Sequence, residues 1–403
     1  MTSNSRVVVI GAGLAGVRLA RRLGELGTPA LLIGEEEHRP YNRVLLAEVL
    51  AGRYAPEVIA LPAPAGLVRA QVTGIDRDRR TVACADGSEI AYDTLVLATG
   101  SNPVLPPLRG LFTPDHVLPE GVHAFRTMDD CLGLSKAVRP GVRAVVIGGG
   151  LLGVSAARAL AVRGAQVVLA QQSERLMERQ LDPNASKLVL RHLKDLGVEV
   201  HTECRVRDVR CVGGTVRSVE MADGYALDAD LVVLACGVSP RAGLAKAAGL
   251  AVHKGILVDD ELRTSDPHIR AIGDCAQHDG NVYGLAAPAL EQADVLAESL
   301  TGTAGSRYSG TRALTRLTLA GNSAFDLAAF GETEPRPGDD VVQLADATRG
   351  TYRKVVVRDD RLVGGVLVGE LGTVGALARA WEGAEPLPDD GPLLHLLTND
   401  GGS

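Results

Sequence analysis

The amino-acid sequence predicts an α/β fold made of two similar units, followed by a smaller α+β segment. Three observations carry that prediction. "RVVVIGAGLAGVRLARRLGELGTPALLIGEE" from Arg6 and "RAVVIGGGLLGVSAARALAVRGAQVVLAQQ" from Arg143 each read as an apolar strand, a glycine turn, an Ala/Leu/Arg-rich helix ended by glycine, and a second strand. Each unit is trailed by a strand ending in small residues, "DTLVLATGSNP" at 93–103 and "ADLVVLACGVSP" at 229–240. From about Arg307 the texture changes. There "YRKVVVRDDRLVGGVLVGE" reads as a hairpin turning at Asp359-Asp360, and "GTVGALARAWEG" as a helix.

Bulk properties narrow the functions. The chain has 403 residues and a formal charge of -7, enough length for two or three domains and no basic footprint for nucleic acid. The opening "VVVIGAGLAGVRLA" mimics a signal-peptide core, but its glycines fall at fixed spacing and Arg18, Arg21 and Arg22 follow at once. No stretch reaches the roughly 18 consecutive apolar residues of a membrane helix, so a soluble, cytoplasmic protein is expected. Cys84, Cys131, Cys204, Cys211, Cys236 and Cys275 form no CxxC pair and no metal-finger spacing. A reducing compartment and small buried apolar residues are their plainest reading.

In the first unit Gly11, Gly13 and Gly16 form a GxGxxG turn between strand and helix. Such a turn brings backbone amides close to a pyrophosphate and packs helix tightly on strand. Glu35 follows 19 residues after Gly16, at the end of the next strand, where a carboxylate can hold ribose hydroxyls. Its bland reading is a solvated loop carboxylate beside Glu36 and Glu37. Gly148, Gly150 and Gly153 repeat the turn, but the acidic position falls on Gln171, followed by Gln172. Glutamine bonds a ribose without repelling a 2′-phosphate, so NADH and NADPH should differ by less than about 100-fold, under roughly 3 kcal/mol. The units are thus expected to be two Rossmann-like dinucleotide-binding domains. Between Ile256 and Gly302, "ILVDDELRTSDPHIRAIGDCAQHDG" reads as short strands closing on Gly273-Asp274, and "YGLAAPALEQADVLAESLTG" as a helix entered near Pro288. A carboxylate after a glycine at a strand end suits the hydroxyls of a ribityl chain. A capping aspartate is the alternative. The last residues, "TNDGGS", read as a disordered tail.

The ordered set GAGLAG, Glu35, "RPYNR", "LATGSNP", GGGLLG, "LMERQLD", "AIGDCA" and "YGLAAPALEQA" resembles the flavoproteins with two dinucleotide-binding domains. The resemblance is greatest to the FAD-containing portion of the NAD(P)H-dependent assimilatory nitrite reductase large subunit, and more distant to rubredoxin and ferredoxin reductases. It implies an FAD-dependent NAD(P)H oxidoreductase that passes electrons to a separate iron–sulfur or siroheme protein, as a monomer or homodimer. It implies an FAD domain from residues 1–118 and 236–306, an NAD(P) domain from 119–235, and a C-terminal α+β domain from 307–403. Gly11, Gly13, Leu14, Ala15, Gly16 and Glu35 would hold the ADP half of FAD. Arg43, Val72, Ala98, Thr99, Gly100, Arg126, Gly273 and Asp274 would lie along its pyrophosphate, ribityl chain or ring, with Ala287, Pro288 and Glu291 near the ring. Gly148, Gly150, Leu152, Gly153, Gln171 and Gly237 would receive NADH or NADPH. Arg43 and Glu48 are the candidate catalytic residues, Arg43 through stabilising reduced flavin or its phosphates. Ferredoxin-type members carry a lysine where this chain has Glu48, whose bland reading is a helix-surface carboxylate paired with Arg43 or Arg53. Many relatives read "GLE" where this chain has Gly153-Val154-Ser155. The cysteine clusters of full-length nitrite reductase subunits are missing and the chain stops before such domains, so nitrite reduction by this chain alone is not expected.

Thiol-using relatives place cysteines in or near the stretch that here reads "RPYNRVLLAEVLAG", residues 39–52. With Tyr41, Asn42, Arg43 and Glu48 there instead, electrons are expected to leave directly from the flavin. Three other readings compete. One is a thiol/disulfide or peroxide reductase, which the missing cysteine counts against. The second is a non-catalytic nucleotide-binding redox sensor with a decayed second site. The third is a flavoenzyme acting on a small molecule in secondary metabolism.

Overall fold

The computed structural model describes residues 6–62, 64, 66–302, 305–312, 314–320, 324–383, 386–387 and 393–398. Apart from Thr398, the expected C-terminal tail lies outside them.

The two units fold alike. In the first, Val7–Ile10 is buried at every position and pairs in parallel with Ala30–Gly34 on one side and Thr94–Leu97 on the other. A strand so placed is covered on both faces, which is why it reads as an unbroken apolar run. Leu67–Arg69 and Ile269–Ala271 complete a five-stranded parallel sheet. The second sheet has the corresponding order: Glu199–His201, Gln166–Ala170, Arg143–Ile147, Leu231–Leu234 and Val122–Ala124. Helices Leu14–Glu25 and Leu151–Val162 follow the glycine turns as expected. The first helix buries Val17, Leu19, Ala20 and Leu23 against its sheet and ends at Gly27 with φ 80°, where the Thr28 amide donates to Leu23 O at 2.8 Å.

A three-stranded antiparallel meander accompanies each unit, Val72–Asp76 with Thr81–Cys84 and Glu89–Ala91, and Val206–Val212 with Thr215–Met221 and Ala226–Asp228. The repeat therefore extends beyond the βαβ pattern. A two-stranded ribbon of Ser101–Pro103 and Val238–Pro240 ties the units together, and Ala286–Leu300 is the helix expected near Pro288.

The C-terminal part is a five-stranded antiparallel sheet ordered Thr315–Ala320, Ala324–Gly331, Arg361–Val368, Thr351–Arg358 and Asp340–Asp346. Its hairpin turns at Asp359 and Asp360, with φ 49° and 56°, the left-handed pair a tight two-residue turn requires. Helix Val374–Gly383 packs Trp381 on Phe330, ring centroids 5.2 Å apart. The opposite face joins the second unit: Leu319, Leu327, Val366 and Val368 share one apolar cluster with Val189 and Leu193. There Asp182, capping helix Pro183–Asp195, accepts from Lys354 Nζ at 2.9 Å and from Tyr352 OH at 2.5 Å, all three buried.

Candidate functional site: two converging clefts

Each parallel sheet opens a cleft at the C-terminal ends of its strands, as open α/β sheets do. The first encloses about 520 Å³ and the second about 940 Å³, the size range of small-molecule and cofactor sites. Ser101 lines both, so they meet there.

The three glycines of each turn have separable jobs. A Cβ on Gly11 would lie 2.1 Å from Ala98 O, and on Gly148 2.5 Å from Ala235 O, at φ 114° and 108°. Only glycine fits these turns. A Cβ on Gly16 or Gly153 would lie 1.9 or 1.7 Å from the carbonyl oxygen of Gly11 or Gly148, so these glycines let the helix sit on the strand. Gly13 and Gly150 meet nothing within 4 Å. Their open side faces the cleft, the space a dinucleotide's phosphates would take.

Around the first cleft, Glu35 pairs with Arg241, which follows the ribbon. That bond raises Arg241's pKa against the opposing effect of burial. Thr99 Oγ1 donates to Arg241 O at 2.6 Å, and Arg241 N to Gly100 O at 2.9 Å. Arg43 binds Glu36, lies over the Tyr41 ring at 5.1 Å, and donates to Arg126 O at 3.0 Å. Tyr41 OH donates to Glu36 at 2.7 Å and accepts from Met128 N at 2.8 Å. Burial raises its pKa, so it stays a phenol. Where the clefts meet, Asp274 accepts from Arg126 at 2.7 Å and from Ser101 Oγ at 2.8 Å. The Thr127/Asp130 capping box at the start of helix Met128–Ala137 holds the Arg126 amide through Asp130.

Gly11, Gly13, Glu35, Arg43, Val72, Ala98, Thr99, Gly100 and Arg126 line the first cleft; Gly148, Gly150, Leu152, Gln171, Gly237 and Asp274 line the second. Leu14, Ala15, Gly16, Gly153, Gly273, Ala287 and Pro288 are set back from both. Gly273 packs instead against helix Leu14–Glu25, where its Cβ would meet the Ala15 Cβ at 3.1 Å. Glu291 is exposed and accepts from Thr311 Oγ1 at 2.6 Å. Glu48 reaches neither cleft and the geometry gives it no catalytic part. It accepts from Arg53 at 3.1 Å and from Arg158, which is fully buried, because a guanidinium inside a core demands a counter-charge. Sequence reasoning missed Glu36, Ser101, Arg158 and Arg241. Ser101 was within reach, in the quoted "LATGSNP"; nothing marks Glu36 off from Glu35 and Glu37.

Gln171 is turned inward. Its Oε1 accepts from Gly149 N at 2.7 Å and its Nε2 donates to Arg175 O at 3.4 Å. Ser155 donates back to Leu151 O at 2.8 Å and is buried. No cysteine lines the first cleft, while Cys204 and Cys236 line the second. All six cysteines are free thiols. Burial raises the pKa of Cys204, Cys211, Cys236 and Cys275, and pushes Cys131 up to about 11. These thiols stay protonated near neutral pH and are poor nucleophiles. Among the described residues no helix is long and apolar enough to cross a membrane, and no group of three or more His, Cys, Asp or Glu is placed to hold a metal ion.

Comparison with known proteins agrees with this geometry. The family described as pyridine nucleotide-disulphide oxidoreductase matches residues 5–293, and the rubredoxin NAD+ reductase C-terminal domain matches residues 315–382. The assimilatory nitrate reductase electron transfer subunit of Bacillus subtilis is 34% identical over 91% of this chain and 48% of its own length. The nitrite reductase [NAD(P)H] of the same organism is 36% identical over 91% of this chain and 46% of its own. The chain thus spans about half the length of these relatives. A crystal structure of a covalent putidaredoxin reductase–putidaredoxin complex superimposes with a TM-score of 0.86 at 27% identity, covering 98% of this chain and 99% of that one.

Proposed function

The chain belongs to the pyridine nucleotide-disulphide oxidoreductase family, and from that premise we propose that it passes electrons from NAD(P)H through FAD to a separate redox protein of nitrite-reductase, ferredoxin or rubredoxin type. The observation that carries this reading is the convergence of two glycine-turn clefts at Ser101, the first with no sulfur in its walls. When bound, FAD supplies the chemistry of accepting a hydride and returning electrons singly. The residues present fit it. Gly11 and Gly16 shape the turn, Gly13 leaves room for phosphates, and Glu35, held by Arg241 in the cleft wall, would meet a ribose hydroxyl. Arg43 and Arg126 bring positive charge to the cleft, and Asp274 stands at the junction.

In this reading the protein places and holds; it moves no proton of its own. Arg43, kept in place by Glu36 and Tyr41, opposes negative charge gathering in the first cleft. Arg126 and Ser101 hold the Asp274 carboxylate in place at the junction. The domains divide at 1–118 with 236–306, 119–235, and 307–403, and the acceptor is an iron–sulfur or siroheme protein in a reducing, cytoplasmic setting. A disulfide reductase is disfavoured because the thiols whose pKa values shift do so upward.

Purified protein should be yellow, release free FAD on heating, and reduce ferricyanide and an iron–sulfur acceptor with NAD(P)H, with little turnover of glutathione disulfide. A colourless protein that takes up no FAD, or one that turns over disulfides readily, overturns the reading.

A further inference from the structure

The second cleft holds two positive charges that no described residue pairs with. Arg179 and Arg205 both line it and are exposed, and among the described residues neither side chain has a hydrogen bond or ion pair. Neighbouring arginines differ: Arg175 is paired with Glu334 and Arg207 with Glu220. The segments that carry Arg179 and Arg205 are tied to Gln171 and to the glycine turn beside it. Cys204 N donates to Gln171 O at 2.9 Å and Glu203 N to Ser173 O at 3.0 Å, which fixes the segment bearing Arg205 beside the end of strand Gln166–Ala170. Met177 N donates to Gly149 O at 2.9 Å, which fixes the segment bearing Arg179 against the glycine turn.

The end of that strand is where a Rossmann-like site meets the ribose of the adenosine half. A carboxylate there would bind the 2′-hydroxyl and repel a 2′-phosphate. Gln171 is neutral, and its amide is spent on Gly149 and Arg175. The carboxylate on this wall, Glu178, accepts from Ser173 Oγ at 2.6 Å. Two unpaired guanidiniums against one engaged carboxylate leave the wall net positive, and a guanidinium meets phosphate oxygens with paired N–H donors.

We propose that Arg179 and Arg205 form a 2′-phosphate subsite, so that the chain prefers NADPH to NADH. The inference rests on the reading that the second cleft receives the nicotinamide dinucleotide. The two can be separated with nucleotide fragments that undergo no redox chemistry. Calorimetric titration of the FAD-loaded protein with adenosine 2′,5′-bisphosphate and with 5′-AMP is expected to show the bisphosphate binding about 10–100-fold tighter, a difference that shrinks as salt is raised. In R179A and R205A bisphosphate affinity should fall about 3–10-fold each while 5′-AMP affinity holds. R205E should reduce it further. Equal binding of the two fragments by the wild type, or an equal loss of both in the variants, overturns the subsite and leaves the nucleotide cleft standing. Binding of neither fragment overturns the assignment of the cleft, and the subsite with it.

Discussion

Replacing Gly13 with alanine separates the fold from the ligand. Apart from its neighbours along the chain, no atom of the described residues lies within 4 Å of the added methyl, and the backbone there, φ -81° and ψ -169°, is open to alanine. The folded chain loses no packing, and the gain from a stiffer unfolded chain is about offset because Gly13 is the helix N-cap, where alanine is less favourable than glycine, so the FAD-stripped protein should change by less than about 1 kcal/mol. The methyl instead occupies the space facing the cleft. If phosphates approach there, it displaces about one charge-assisted amide–phosphate hydrogen bond, costing about 1.5–3 kcal/mol, a weakening of FAD binding by about 10–150-fold. G150A should do the same to NAD(P)H while leaving FAD bound. G16A is the control: its Cβ would lie 1.9 Å from Gly11 O, so helix and strand must separate, costing about 3 kcal/mol or more before any ligand is added. Urea melts of the stripped protein and fluorescence titration with FAD measure both sides. Wild-type FAD affinity in a folded G13A protein would refute the assignment of that space to the cofactor.

Other consequences concern the thiols and the seam with the C-terminal sheet. Replacing all six cysteines with serine or alanine should leave ferricyanide reduction per bound FAD largely intact, though a serine at buried Cys275 can cost about 1–3 kcal/mol if its hydroxyl goes unpaired, so FAD content is measured alongside activity. Burial raises Cys131 from 9.0 to about 11; its stabilising contribution is therefore complete below pH 9.0 and lost as pH rises through about 11, a slope that urea melts of C131A should lack. D182N leaves the buried Lys354 ammonium without its counter-charge and should cost about 3–5 kcal/mol, of which D182N/K354M recovers a large part; a loss below about 1 kcal/mol in D182N would contradict the role given to that pair.

The two nucleotide units were legible because their signal is local. An unbroken apolar run, three spaced glycines and a glycine-ended helix follow one another in one short stretch, and the clashes at Gly16 and Gly153 are with Gly11 and Gly148 of the same turn, while those at Gly11 and Gly148 reach Ala98 and Ala235 after a later strand. The meanders were not read. Strands such as Thr81–Cys84 and Glu89–Ala91 are short, and "DRDRR" before them is charged, so little in their pattern separates them from loop. Three strands of the C-terminal sheet, 315–346, were missed for a similar reason: Asp340–Asp346 is an edge strand with four exposed positions of seven. At the site, motif residues were found and their partners were not. Glu48 was assigned to the site by resemblance, as the position where ferredoxin-type members carry a lysine; the counter-charge it meets, Arg158, lies 110 positions away. Arg241 is likewise 206 positions from Glu35. Distant pairing of this kind leaves no trace in spacing.

The central claim is that electrons leave without passing through a thiol. Anaerobic reductive titration of the FAD-loaded protein, followed by the visible flavin bands, tests it most directly. The account predicts complete bleaching with about two electron equivalents per FAD, the capacity of the flavin alone, and the same endpoint in the six-cysteine variant. An endpoint of about four equivalents per FAD that falls to about two when the cysteines are removed would reveal a redox-active thiol pair in communication with the flavin, and would contradict the account.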